Sequence, residues 1–358
     1  MTATMDYVVT TGDFIREWME SEGINAAELA RRLGVTPKHV SELVSGKAPL
    51  SHAVALDLER VTGVPARVWN QYESGYRSAL ASKAEEAELS AQYEKAREFP
   101  LPYLRKHGYL TAPARDRVAT VRELLSLLGV ASIEAFWSTW SHGSVAYRRS
   151  AAARADSPAL AVWLALGERQ HRGLGDLPPF DSGALEAVLP TLRSFTCREP
   201  TAGLNEARES LRQVGVALSF VPAVPGLGIH GATRWLGETP VLQFSLLWKR
   251  DDQMWFTLFH ELGHVLLHGH KELFLLGDSS ESEREADEFA ASLLIPDECL
   301  PLLPRRRDVG AVRRLAEEIG VAPSIVLGRA QRITQDFAWG QGLIRPVDVT
   351  IDWHGAER

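Results

Sequence analysis

Residues 260–264 read His-Glu-Leu-Gly-His, and an acidic run, Glu283-Arg284-Glu285-Ala286-Asp287, follows further along the chain. No other stretch restricts the fold so tightly. On a helix, positions 260 and 264 lie one turn apart on the same face, so two imidazoles can grip one metal ion. Glu261 sits about a quarter-turn away, where it can handle a water without ligating the metal. Any fold that uses this pair must carry a helix here and bring a further ligand to it from elsewhere.

The surroundings supply strand and helix signals. Val214 to Val221 is an extended run bounded by Pro222 and the turn-forming Pro225-Gly226; Gly231–Trp235 and Val241–Trp248 follow as two more. In the last, Leu242, Phe244, Leu246 and Trp248 alternate with Val241, Gln243, Ser245 and Leu247, the pattern of a half-buried strand. A helix from about Asp252 to His268 is expected next, burying Leu258, Leu262 and Val265 while His260 and His264 face another way. A second helix runs to Leu294 and stops at Pro296. Its Glu283, Asp287 and Ala290 share a face, and Ala286, Ala290 and Ala291 are small enough for close helix approach. An α+β domain with the metal site at the sheet–helix junction is expected.

A hydrolytic zinc needs three protein ligands and an open fourth position. His270 has the metzincin spacing, but those enzymes turn the chain at a glycine three residues after the second histidine, and Leu267 stands there. Glu283 on the second helix, with Asp287 one turn on as an outer hydrogen-bonding partner, gives the gluzincin-like arrangement. Glu285 is the weaker alternative, because Ser282-x-x-Glu285 reads as a capping box. His260, His264 and Glu283 are therefore favoured as ligands. His268 is expected behind them or at the helix end.

Residues 12–72 read as four or five short helices. Leu29, Ala30 and Leu33 form one apolar stripe, Gly34 ends that helix, and Thr36-Pro37 starts the next. Val40 and Leu43 pin the new helix from inside, leaving Pro37, Lys38, His39, Ser41 and Glu42 to face outward. A helix, a glycine turn and a second helix with a polar outer face is a helix-turn-helix plan. This stretch, with Val44-Ser45-Gly46-Lys47 and Leu56-Asp57-Leu58-Glu59-Arg60-Val61-Thr62-Gly63-Val64-Pro65, resembles the XRE (Cro/repressor-like) family, including its HigA-type antitoxins. The resemblance implies that Lys38, His39, Ser41 and Glu42 approach base edges of a double-stranded DNA operator, with Lys47 near a phosphate. Seven Lys/Arg face eight Asp/Glu between residues 12 and 72, so any attraction to phosphate is local.

At 358 residues the chain is too long for one core, and its net charge of −7 gives no general pull toward nucleic acid or membrane. The two cysteines, Cys197 and Cys299, lack metal-type spacing, which points to a reducing cytosol. Asp13, Arg16, Glu17 and Glu20 break up the early apolar residues, so no signal core is expected, and no stretch is apolar enough to span a bilayer. A cytoplasmic protein without membrane contact is the expectation.

Residues 74–99, rich in Ala, Glu, Lys and Ser and ending at Pro100 and Pro102, read as an exposed helical connector that could serve a homodimer contact. Residues 114–195 read as mainly helical, with Trp137, Trp140 and Trp163 in the core and Arg148, Arg149 and Arg154 on a solvated face. Near the end, Arg305-Arg306-Arg307 reads as a solvated turn, Val309–Ile319 as an amphipathic helix, and Ile325 and Leu327 as packing residues. The expected organisation is a helix-turn-helix domain over 1–73, a connector over 74–113 and a helical middle over 114–202. A metallopeptidase core over 203–300 and a helical extension over 301–358 complete it. The fold class is mainly α with an α+β C-terminal part, its small sheet belonging to a zincin-like domain.

The run Phe256-Thr257-Leu258-Phe259-His260-Glu261-Leu262-Gly263-His264-Val265-Leu266-Leu267-His268 resembles the ImmA/IrrE metallopeptidase family. So does Glu283-x-x-Ala286-Asp287-x-Phe289-Ala290-x-x-Leu293-Leu294-Ile295-Pro296, and the likeness extends upstream through Gly231-Ala232-Thr233-Arg234-Trp235. The resemblance implies metal on His260, His264 and Glu283, with Glu261 catalytic. It also implies a fused regulator whose endopeptidase cuts a specific protein, in some members a repressor of stress or mobile-element genes. Zinc is the expected ion; Mn2+ and Fe2+ suit the same ligands. Glu261 would take a proton from zinc-activated water and pass it to the leaving amine. His230 and Arg234, ahead of the metal helix, are candidates for oxyanion or substrate contacts. The rival expectation is a HigA-like antitoxin or repressor that binds operator DNA and a toxin partner with little or no proteolysis.

Overall fold

A computed structural model describes residues 9–143, 158–173, 175–245, 247, 249–269, 274–275 and 281–347. Arg148, Arg149, Arg154, Leu246, Trp248 and His270 lie outside these residues, as does the side chain of Trp140. The chain divides into two compact units, Met1–Tyr93 and Glu94–Arg358.

In the first unit four short helices, α1 (Thr11–Ser21), α2 (Ala26–Leu33), α3 (Pro37–Val44) and α4 (His52–Thr62), precede a long α5 (Ala66–Ala96). Side chains of Thr10, Asn25, Thr36 and Ser51 cap α1 to α4 by accepting from backbone N–H groups that the first turn cannot satisfy internally. Gly34 stops α2 at φ 67°, a left-handed turn that a side chain would strain. Ile15, Leu29, Val40, Leu43, Leu58 and Trp69 fill the space between the helices. On α3, Lys38 and Ser41 are exposed and His39 and Glu42 half-buried, with Lys47 exposed just beyond. The residues read as a connector over 74–99 belong mostly to α5, a single helix of 31 residues. Strong helix formers around Gly75 carry it through that position.

The second unit opens with α6 (Leu101–Lys106), α7 (Arg117–Leu128), α8 (Ile133–Gly143), α9 (Pro158–Gly173), α10 (Ser182–Ser194) and α11 (Pro200–Gln213). A four-stranded sheet follows, built from β1 (Ala217–Phe220), β2 (Gly231–Leu236), β3 (Thr239–Phe244) and β4 (Phe274–Leu275) in the order β1-β3-β2-β4. β2 and β3 form an antiparallel hairpin, β1 lies parallel to β3, and β4 is antiparallel to β2. The metal-motif helix α12 (Asp251–Leu267) and its partner α13 (Glu281–Leu294) come next, then α14 (Val309–Ile319) and α15 (Pro323–Thr334).

One sheet face packs Leu218, Phe220, Leu242 and Phe244 into a core with Trp255, Leu258 and Leu262 of α12. β3 differs from the half-buried strand expected of its alternation: Val241 and Gln243 are as buried as Leu242. The cause is α9, which covers the far face with polar as well as apolar contacts. Gln243 Nε2 donates to the Trp163 carbonyl, Ser219 Oγ to that of Gly167, and the core residue Trp163 donates its indole N–H to Val221. Hydrogen-bonding side chains thus stood in for the apolar face that would have announced a sandwiched strand.

The C-terminal helices complete the same core with Val312, Leu315, Ile325, Val326 and Leu327. Arg305, Arg306 and Arg307 are exposed. The N-terminus of α12 is tied down by the fully buried Asp251. Its carboxylate accepts from Ser324 Oγ, from the Arg345 backbone N–H and from Arg345 Nε, all within 2.9 Å.

Candidate metal centre

Helices α12 and α13 lie close because the residues between them are small. A Cβ on Gly263 would stand 3.2 Å from the Ala286 Cα, and Ala286 and Ala290 are fully buried. That proximity brings His260, His264 and Glu283 together with donor atoms within 4.8 Å of one another. The two Nε2 atoms are 3.0 Å apart; Glu283 places one oxygen 3.2 Å from His260 Nε2 and the other 3.0 Å from His264 Nε2.

Outer hydrogen bonds fix which nitrogen each ring presents. His260 donates its Nδ1–H to Asp287 Oδ1 at 2.9 Å. His268 donates from Nε2 to Glu285 at 2.9 Å, so its Nδ1 accepts the Nδ1–H of His264 at 3.1 Å. The His260 and His264 rings then both turn an Nε2 lone pair inward. Two lone pairs and a carboxylate converging this closely repel unless a cation sits among them. The donor set fits zinc, which takes imidazole and carboxylate ligands.

A proton can play that cation's part. Burial opposes a charge on His260, but Asp287, Glu283 and Glu261 outweigh it and hold the imidazolium up to about 9. Burial likewise opposes ionised Glu283, yet the two imidazoles keep it charged down to about 2. His264 is lowered by its burial. In chelator-treated protein the raised histidine stabilises fully below its ordinary 6.5 and fades as pH climbs through about 9. The depressed glutamate stabilises above its ordinary 4.5 and fades as pH falls toward 2. This cluster should therefore contribute most to the melting temperature between about 4.5 and 6.5 in chelator. Added zinc should raise the melting temperature more at pH 8 than at pH 6, since it must displace that proton. A zinc-induced rise independent of pH would refute the shared site.

Glu261, one residue past His260, is fully buried and meets different partners. Thr233 of β2 donates its hydroxyl to Glu261 Oε2 at 2.6 Å, while the buried Oε1 has no hydrogen-bond partner among the described residues. Burial pushes the carboxyl up to about 7, against the pull of His260 and the Thr233 bond. Oε1 lies where Gly231 leaves room: a Cβ there would stand 2.4 Å from it and 2.9 Å from Thr257 Cγ2. Gly231→Ala is accordingly expected to displace Glu261 and remove hydrolysis while sparing the triad. Zinc stoichiometry and peptide cleavage measured on one sample would check it, and retained cleavage would count against this placement of Glu261.

Of the remaining sequence candidates, His230 lines the cleft beside α12 with Gln253 and Thr257, and burial lowers its pKa. Arg234 goes elsewhere. Strand alternation sends it to the opposite sheet face, where it donates to the Leu164 carbonyl and approaches Glu168 at 3.5 Å, so it cannot serve substrate. Thr233 and Gly231, the residues that hold and accommodate Glu261, carried no chemical signal beyond their place in the family-like run. Glu285, read as the capping partner of Ser282, is the acceptor that fixes His268.

A helix-turn-helix unit and a sheet-backed His-His-Glu helix pair define a transcription regulator carrying a peptidase-like domain. Comparison with known families places each part. Residues 15–69 match the helix-turn-helix family and residues 231–331 the IrrE N-terminal-like domain. Over 72 residues, 20% of this chain and 77% of its relative, the sequence is 31% identical to the HTH-type transcriptional regulator YddM of Escherichia coli. The chain belongs to the XRE-type helix-turn-helix regulators and joins to that module an ImmA/IrrE-like peptidase domain. No helix among the described residues is long and apolar enough to cross a membrane.

Proposed function

We propose that this regulator binds operator DNA through residues 12–72 and hydrolyses a peptide bond in a specific protein, a repressor being the candidate class. It would do so in the cytoplasm and as a homodimer. The observation that carries the reading is Glu261: a structural metal site has no use for a buried carboxylate with one oxygen left open beside the ligands. His260, His264 and Glu283 would hold zinc, or manganese or iron, with Asp287 and His268 orienting the imidazoles. The bound ion supplies Lewis-acid polarisation and makes water acidic enough to lose a proton near neutral pH. Thr233 occupies Glu261 Oε2, so Oε1 is the oxygen that takes the proton of the attacking water and returns it to the leaving amine. A carboxyl near 7 suits both transfers. His230, kept neutral by burial, would donate to the scissile carbonyl oxygen.

On the DNA side, Lys38, His39, Ser41 and Glu42 would face base edges, although Lys38 and Glu42 approach one another at 3.8 Å and must part to do so. Lys47→Ala is expected to weaken binding to all sequences alike and to lower the salt slope by about one; a change confined to one base position would assign Lys47 a reading role. The proteolysis itself is tested by incubating zinc-loaded protein with candidate repressors, with and without chelator, and mapping fragments by mass spectrometry. Cleavage that stops on chelation supports the hydrolase. Intact substrates, with operator binding and capture of a toxin, support the antitoxin instead.

A further inference from the structure

Three hollows lie beside α12. One, bounded by His230, Leu247, Lys249 and Thr257, shares Gln253 with a second lined by Phe256, Leu294 and Ile325. The second has a volume of about 100 Å3 and carries Arg329 and Arg332 of α15 on its wall. Through Phe256 and those arginines it opens into a wider cleft that reaches Asp287. Asp287 is the carboxylate on His260 Nδ1, and the Phe256 ring centre lies 6.3 Å from that of His260. The cleft end of this trough therefore reaches the carboxylate that orients His260, on the Nδ1 side of that ring.

Its charges are unevenly spent. Asp252, on the wall of the apolar hollow, is already held bidentately by Arg250. In the wider cleft Glu285 takes His268 and Glu288 takes Arg284, which leaves Asp297 as the remaining acid. Against these, Arg332 reaches Asp287 only at 3.8 Å, and Arg329 Nε is buried with no hydrogen-bond partner among the described residues. A buried donor without an acceptor is costly, and the side chain that carries it lines both the hollow and the wider cleft.

We propose that this trough receives the protein substrate as an extended segment in which a bulky apolar side chain stands two residues from an aspartate or glutamate. The proposal rests on the hydrolase reading, since the trough is assigned to the substrate of that same domain. An apolar cavity of ~150 Å3 holds a benzene ring, so the hollow suits a single leucine-sized side chain. In an extended peptide, residues i and i+2 point the same way roughly 6–7 Å apart, which lets one wall take both groups. A guanidinium grips a carboxylate through two parallel hydrogen bonds, a fit that neither glutamine nor lysine reproduces. Arg329 is then the specificity-determining residue, with Arg332 beside it.

The test is fluorescence anisotropy with the full-length, zinc-loaded Glu261→Gln chain, which holds peptide without cutting it. The probes are fluorescein-labelled peptides of alanine and serine carrying Leu-Ser-Glu or Glu-Ser-Leu. Matched peptides replace Glu by Gln or Lys, or Leu by Ala. At least one Glu peptide should bind about 10-fold or more tighter than its Gln, Lys and Ala counterparts. Arg329→Gln should erase the preference for Glu over Gln and keep that for Leu over Ala. Equal binding of Glu and Gln peptides overturns the proposal, and so does an Arg329→Gln chain that melts normally and keeps the full preference. Should that variant fail to fold, the peptide comparison on the native trough decides alone. Selective binding without any cutting by the wild type would sink the hydrolase and leave the trough; cutting of unfolded casein with no acidic preference would do the reverse.

Discussion

Replacing Glu261 by glutamine is expected to lower peptide hydrolysis by about 10³-fold or more, within the range for loss of a positioned general base. The amide keeps the size of the carboxylate and can still meet Thr233, so helix packing and the ligand set should survive. Zinc content should stay near one ion per chain and operator affinity should not move. That combination separates chemistry from folding. Losing zinc together with cleavage would show that the carboxylate holds the site together rather than moves a proton. Unchanged cleavage would remove it from the reaction altogether.

Glu283→Ala should have the larger structural effect. Of the three residues grouped for a metal, Glu283 alone comes from α13, and it compensates two fully buried imidazoles. Its loss should weaken zinc binding by more than the ~100-fold typical of losing an outer hydrogen-bond partner. Removing one partner of a buried charged pair generally costs about 3–5 kcal/mol, so the chelator-treated variant should also melt well below the parent. Equilibrium dialysis and calorimetry would read the two effects separately. Stoichiometric zinc in this variant would mean that another group completes the site.

Much of the site could be read from the sequence because its parts are tied to helical periodicity. His260 and His264 share a face whatever surrounds them, and the Ala286–Ala290 stripe says that another helix can approach. The helix-turn-helix was legible for a related reason: Thr36-Pro37 and Gly34 are backbone requirements written as residue identities. What stayed hidden depends on contacts between distant segments. Closeness in sequence to the metal helix points Arg234 toward the substrate, and strand alternation carries it to the other face. Gln243 looked like the solvent side of a strand because nothing in β3 announces that α9 will cover it. Thr233 and Arg329 acquire their meaning only once β2 and α15 have docked on α12.

The anchoring of Asp251 bears on where this domain can be cut. Two of the hydrogen bonds to that carboxylate come from Arg345, beyond the 231–331 stretch that defines the peptidase-like part. A fragment trimmed to that stretch would keep every ligand and yet strand an anion, shut away from water, at the first turn of the helix that bears the histidines. Its tail is thus a clasp on the helix that carries His260 and His264, and any trimmed version of the domain has to retain residues through Val347.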